Sequence, residues 1–271
     1  MKTNAFINND AVKSLATYPN NAIHLTITSP PYDNLRRYKG YQLDLPALIE
    51  QLHRVTIDGG VVVWVTGDAT IDGSETGSSF RVALGFMDAG FNLHDTMIFM
   101  KRNPIPQIYR KRYNNVFEYM FVFSKGPVRT HNAIKEDCIH AGLELSSTTY
   151  KNYSKGEQKR TKFAKPVKKQ KILGNVWKYV VGKNSEDQEA KGHPAPFPCA
   201  LARDHILSWS DPGDIVLDPM CGSGTVCREA YLNDRHFVGI DISREYIEIS
   251  KNRLKDAGFG ANQKPSLFIS N

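Results

Sequence analysis

Four consecutive residues, Ser29-Pro30-Pro31-Tyr32, combine a hydroxyl, two locked backbone units and an aromatic face. They follow a β-branched apolar run, Ala22 to Thr28, that reads as a buried strand. Each proline fixes φ and lacks an N–H, and the residue before a proline is driven to an extended conformation. The segment is therefore a rigid arm at a strand end. The Ser29 hydroxyl and the backbone carbonyls can accept hydrogen bonds from a planar amino group, while Tyr32 can stack a flat ring. These are the requirements for holding a nucleobase turned out of its helix. A polyproline turn that only ends a strand looks the same, so the arm alone leaves both readings open.

A second segment carries cofactor chemistry. Asp214 to Asp218 reads as another buried strand, ending in a carboxylate, and runs into Pro219-Met220-Cys221-Gly222-Ser223-Gly224-Thr225 and then a helix, Val226 to Asn233. Glycines let a ligand approach the backbone, and helix N–H groups favour an anion. A further strand, His236 to Ile240, ends in Asp241, 17 residues beyond Gly224, where an acid reaches ribose hydroxyls. A dinucleotide site calls for a third glycine where Cys227 stands, which weakens a nicotinamide reading.

Together, Thr28-Ser-Pro-Pro-Tyr32 and Asp218-Pro-Met-Cys-Gly-Ser-Gly-Thr225 resemble the catalytic and S-adenosylmethionine motifs of the DNA amino-methyltransferases, in the order of the β-type permutation. Phe6-Ile-Asn-Asn-Asp10 resembles the strand and acid near the cofactor adenine. His193-Pro-Ala-Pro-Phe-Pro198 resembles the segment that packs on the methionine end. The resemblance covers roughly residues 6–126 and 172–257. It departs at Met220, where the family often has an aromatic, and after Gly260, where nothing matches. It implies methylation of an exocyclic amine of DNA from S-adenosylmethionine. Ser29, Pro30, Pro31 and Tyr32 would be catalytic, and Asp10, Phe197, Asp218, Met220, Gly222, Gly224, Thr225 and Asp241 would bind cofactor. Serine at the first motif position is usual for N4-cytosine members and aspartate or asparagine for N6-adenine members, so cytosine N4 is the expected target and adenine N6 the alternative. Asp10 and Asp241 could also be plain helix caps. Carbon-5 methylation needs an added thiolate. Its only Pro-Cys pair, Pro198-Cys199, opens a helix, where Cys199 packs most simply as a small apolar residue. A DNA-binding protein without catalysis needs neither motif. Related Pro-Pro-Tyr loops also serve methyltransferases for RNA, protein glutamine and small molecules.

Charge points to the polymer. The chain of 271 residues carries a net +7. Between Lys151 and Lys171 eight lysines and one arginine stand against one glutamate, a net +8 that leaves −1 elsewhere. Such a stretch reads either as a phosphate-binding surface or as a solvated loop, and the interleaved Tyr153 and Phe163 favour nucleic acid. Lys155, Lys159, Arg160, Lys162, Lys165, Lys168 and Lys169 are the expected DNA contacts, with Arg36 and Arg37 beside the catalytic arm and Arg110, Lys111 and Arg112 as further surface cations. Double-stranded DNA is thus the expected partner, with a homodimer and a restriction endonuclease of the same site as further expected partners. The four cysteines lack paired metal spacing, so no metal is expected. No signal peptide or membrane span is read, and the expected setting is the cytoplasm, bacterial or phage-borne.

The elements that must position these residues alternate. Helices are expected over Ala11 to Leu15, Pro46 to Val55, Phe80 to Ala89, Cys199 to Trp209 and Ser243 to Leu254. Further strands are expected over Val61 to Thr66, Phe91 to Met100 and Glu118 to Ser124. Asp58-Gly59-Gly60 reads as a break and Gly67 to Gly77 as a loop. From Pro127 to Lys171 no periodicity survives. The expected fold is α/β: a mostly parallel twisted sheet with helices on both faces, methyltransferase Rossmann-like. Its catalytic half would be 1–126, a basic target-recognition insert 127–171, and the cofactor half 172–271.

Overall fold

The computed structural model describes residues 1–30, 43–104, 106, 111–151, 159–182 and 197–260, with backbone only at 144–151 and 159–165. Chain order runs β1 (Ala5–Asn8), α1 (Ala11–Leu15), β2 (Ile23–Thr28), α2 (Leu45–Val55), β3 (Thr56–Thr66), β4 (Thr70–Ile71), β5 (Ser74–Glu75), α3 (Ser78–Asp88), β6 (Asn92–Lys101) and β7 (Phe117–Ser124). It continues with β8 (Lys135–Asp137), β9 (Glu144–Lys151), β10 (Lys159–Pro166), β11 (Gln170–Ile172), β12 (Val176–Tyr179), α4 (Cys199–Trp209), β13 (Ile215–Asp218), α5 (Thr225–Leu232), β14 (His236–Asp241) and α6 (Arg244–Asp256).

Eight strands form one sheet in the order β1-β14-β13-β2-β3-β7-β6-β12. Only β7 runs against the rest: it pairs antiparallel with β3 and β6, and every other ladder is parallel. The central strands read as unbroken apolar runs because both their faces are covered. Leu25, Ile27, Val62, Val63, Leu217 and Val238 are all buried. The crossover β2–α2–β3 steps one way along the sheet and β13–α5–β14 steps the other. Since such crossovers are right-handed, α2 and α5 fall on opposite faces. Helices α1, α2 and α3 pack together as one layer, and α4, α5 and α6 as another.

Several expectations need correction. Asp58-Gly59-Gly60 does not break the chain but lies inside β3, where Gly59 takes φ 76° and the register with β2 shifts. Glycine permits a bulge there, and in sequence a bulge looks the same as a stop. Gly67 to Gly77 holds the short β4–β5 hairpin. The segment without periodicity contains four strands in two antiparallel pairs, β9–β10 and β8–β11. They form a compact unit of their own, 133–174, distinct from 1–132 and 175–271. Strands with polar residues on both faces leave no apolar alternation to read. Residues 127–132 stay with the larger unit, because Arg129 pairs with Asp214 and Thr130 Oγ1 donates to Asp211 at 2.7 Å. Among the described residues no helix is long and apolar enough to cross a membrane.

Candidate active site

The two crossovers diverge from β13 and β2, which are neighbours. A crevice opens beyond the carboxyl ends of adjacent strands whose connections leave in opposite directions, and ligands of open α/β sheets bind there. The arm begun by Ser29 and Pro30 leaves β2 at this point, and the glycine turn leaves β13 beside it. The two are tied: Thr28 Oγ1 donates to Asp218 Oδ1 at 2.9 Å, a buried bond between residues far apart in sequence. The Met220 N–H donates to the same oxygen at 3.2 Å. Ser29 is half-buried and Pro30 buried.

The turn is held from beneath. Gly222 and Gly224 take φ 49° and 78°, left-handed values that cost other residues. A Cβ on Gly224 would lie 2.7 Å from Ser250 Cβ. Ser250 Oγ donates to the Gly222 carbonyl at 2.7 Å, and the buried Arg253 guanidinium donates to the Ser223 carbonyl at 2.5 Å and to Thr225 Oγ1 at 3.1 Å. Helix α5 starts at Gly224 without a side-chain cap. At the end of β14, Asp241 accepts the Gly222 N–H at 2.9 Å and the Ser243 N–H at 2.8 Å.

Two acids therefore sit buried at one sheet edge. Burial pushes Asp218 up to about 7, against hydrogen bonds from Met220 and Thr28, and the charge of Asp241 adds to the rise. Burial raises Asp241 too, against the N–H groups of Ser243 and Gly222. Neither makes a salt bridge among the described residues. Such a pair lacks positive charge, and a ligand bearing a sulfonium and an ammonium supplies it. The donor set thus fits S-adenosylmethionine. The nearby thiols are not nucleophiles: burial raises the pKa of both Cys221 and Cys227. Cys199 is buried at the start of α4 and accepts from Arg228 Nη1 at 3.8 Å.

The expected site residues fall into three groups. Ser29, Pro30, Asp218, Met220, Gly222, Gly224, Thr225 and Asp241 lie on the ends of β2, β13 and β14 or the turn between them. Met220 is partly buried against the core. Asp10 caps α1 by accepting the Lys13 N–H at 2.8 Å, and it follows Asn9, whose N–H donates to the Asp241 carbonyl at 3.1 Å. It is a cap placed at the same sheet edge, so the two readings coexist. Phe197 is half-buried just before α4. Lys159, Arg160, Lys162 and Lys165 lie on β10, and Lys168 and Lys169 are exposed beyond it. Pro31, Tyr32, Arg36, Arg37, Arg110, Lys155 and His193 lie outside the described residues. Sequence reasoning missed Ser250 and Arg253. Their signal was present: two polar residues three apart on a helix with an apolar face. It also missed Asp68, beyond β3, whose carboxylate accepts the Ser79 N–H at 2.9 Å and Oγ at 2.5 Å and so caps α3. Burial raises Asp68, but hydrogen bonds from Ser79, Ser78 and Thr76 outweigh it and hold the group below the ordinary range.

A parallel sheet with one reversed strand near its end, and a ligand crevice at its switch point, defines the Rossmann-like methyltransferase class. Solved structures share the fold. The PvuII cytosine-N4-specific DNA methyltransferase aligns at a TM-score of 0.67 with 20% identity, over 93% of this chain and 90% of that one. TTHA0409, a DNA modification methylase of Thermus thermophilus crystallised with S-adenosyl-L-methionine, aligns at 0.63 with 21% identity, over 98% and 99%. The model of the N6/N4 DNA methylase family matches residues 23–252. The orphan methyltransferase M.BamHII of Bacillus amyloliquefaciens is 48% identical over 238 residues, 86% of this chain and 89% of that protein. The type II methyltransferase M.BglII of Bacillus subtilis is 27% identical over 277 residues, 97% of this chain and 72% of that protein. The chain belongs to this family of DNA amino-methyltransferases.

Proposed function

We propose that the chain is a site-specific DNA methyltransferase that methylates the N4 amine of a flipped cytosine from S-adenosylmethionine. The observation that carries this reading is the Thr28–Asp218 hydrogen bond, which sets the Ser29 arm against the cofactor turn at the switch point of the sheet. When bound, the cofactor supplies a methyl group on a positively charged sulfur. Asp218 and Asp241 offset that ligand's charge and bind its polar groups, Asp10 lies toward its adenine, and Phe197 packs on its methionine end. Ser29 Oγ and the Pro30 carbonyl accept hydrogen bonds from the two N–H groups of the amine. That draws the nitrogen lone pair out of ring conjugation and aims it in line with the methyl carbon. Tyr32 stacks the base, and the basic unit binds the duplex backbone. No covalent bond to the protein forms.

Serine at position 29 and the likeness to the cytosine-N4-specific PvuII enzyme support cytosine. Adenine N6 is the second reading, supported by a family that spans both amines. The relative at 48% identity is named as an orphan, whereas that at 27% is named type II, which favours a chain working without a paired endonuclease. A homodimer in a bacterial cytoplasm belongs to the same reading. The test is to methylate duplex DNA in vitro, digest it to nucleosides and identify the product by mass spectrometry. N4-methylcytosine is expected. N6-methyladenine overturns the choice of base and spares the mechanism, while no product from a chain that binds both DNA and cofactor overturns catalysis.

A further inference from the structure

Helix α3 buries Val82, Ala83 and Phe86, yet its opposite face is also apolar. Phe80, Leu84 and Met87 are 55%, 58% and 45% exposed and recur at the spacing of one helix stripe. The stripe runs on across the sheet: the Phe80 ring lies 5.8 Å from that of Tyr119, which lies 5.4 Å from the exposed Phe117. A contiguous apolar patch of this kind on a soluble domain marks a contact surface. Its pattern specifies the occupant. Exposed charges of opposite sign, Arg81 and Asp88, bracket the stripe, and half-exposed Gly85 leaves a gap beside Leu84 at its centre. A two-fold axis between Leu84 and Gly85 sets a second α3 antiparallel to the first. Leu84 of each copy then enters the gap over the other's Gly85, and Arg81 of each meets the other's Asp88. A parallel pair would oppose like charges.

We propose that α3 is the homodimerisation surface of this protein, two copies packing α3 against α3 antiparallel about that axis. The surface is self-complementary, as a two-fold interface requires. Arg81 already donates to the Thr76 carbonyl and keeps further N–H groups for a carboxylate. Asp68, by capping α3, holds the helix start in place for the contact. The assignment gives the homodimer of the functional reading its surface and holds whichever base is methylated.

The experiment is sedimentation velocity of the full chain, without DNA, over a concentration series. The wild type is expected to show a monomer–dimer equilibrium, and Leu84→Glu to raise the dissociation constant at least about tenfold. Because Leu84 is exposed, the melting temperature of the variant should stay near that of the wild type. Met87→Lys serves if Leu84→Glu does not fold. Arg81→Asp and Asp88→Arg should each be monomeric alone and form a heterodimer when mixed, since only the mixture pairs opposite charges at both contacts. A wild type that stays monomeric throughout, or a dimer indifferent to Leu84→Glu and Met87→Lys, overturns the proposal. So does a mixture of the charge variants that fails to associate.

Discussion

Asp218 is the residue where stability and function pull apart. Its folded value of about 7 exceeds the ordinary 3.8. A carboxyl raised on folding binds more protons in the folded than in the unfolded chain, so its contribution to stability falls as pH rises from about 4 to about 7. The cofactor-free protein should lose melting temperature across that window. Asp218→Asn has no charge to bury and keeps the acceptor for Thr28, so it should melt higher than wild type above pH 7. It should also bind S-adenosylmethionine more weakly, because the carboxylate that offsets the ligand's charge is gone. In the wild type the same affinity should fall as pH drops below 7 and Asp218 takes up its proton. Differential scanning calorimetry and titration calorimetry across pH check all three, and an Asn variant that melts no higher and binds equally well refutes the charge argument. Ser29→Ala should behave in the opposite way. It should lower turnover by about tenfold or more at unchanged cofactor affinity, because one transition-state hydrogen bond is lost. Cys199→Ala should retain most activity in a radiolabelled methyl-transfer assay, and loss of catalysis in a folded variant would revive a covalent route.

Elements set these residues in place, and the glycine turn does so with the least tolerance. Gly224→Ala meets both a left-handed backbone and a Cβ contact of 2.7 Å with Ser250. The backbone alone costs about 1–2 kcal/mol, and the turn must shift to relieve the overlap. The expected outcome is a lower melting temperature with a larger loss of cofactor binding than of stability. A stable variant with intact binding would mean that the turn is not the cofactor site. This turn is legible in sequence because it is local: strand, glycines and helix follow one another within 17 residues of Asp241. The order of strands is not, since nothing in β1 announces that Asn8 aligns with Asp241, or in β12 that Val176 aligns with Ile98. Nor can sequence place Thr28 on Asp218, 190 residues away. The helices and central strands are legible to within a residue or two, because buried parallel strands are continuous apolar runs and amphipathic helices are periodic. The polar hairpins of 133–174 carry neither signal.

On the scale of the whole molecule, charge and chemistry are divided between the two compact units. The net +8 of 151–171 falls within unit 133–174, while both buried acids lie in the larger unit. If the basic unit binds the DNA backbone, each lysine on a phosphate releases counterions, and binding weakens with salt with a log–log slope of about −0.9 per contact. Lys168 and Lys169 are exposed and lie outside the β9–β10 ladder, so replacing them with glutamine should not disturb its register. The double variant should bind all duplex sequences more weakly and show a slope shallower by up to about 2. Its affinity for S-adenosylmethionine should be unchanged, and so should the base it methylates. Fluorescence anisotropy with a labelled duplex between low and physiological salt measures the slope directly. A slope equal to wild type means that these lysines face solvent only. A slope that falls together with cofactor affinity means that the substitution has reached the larger unit and that the two units do not divide the labour in this way.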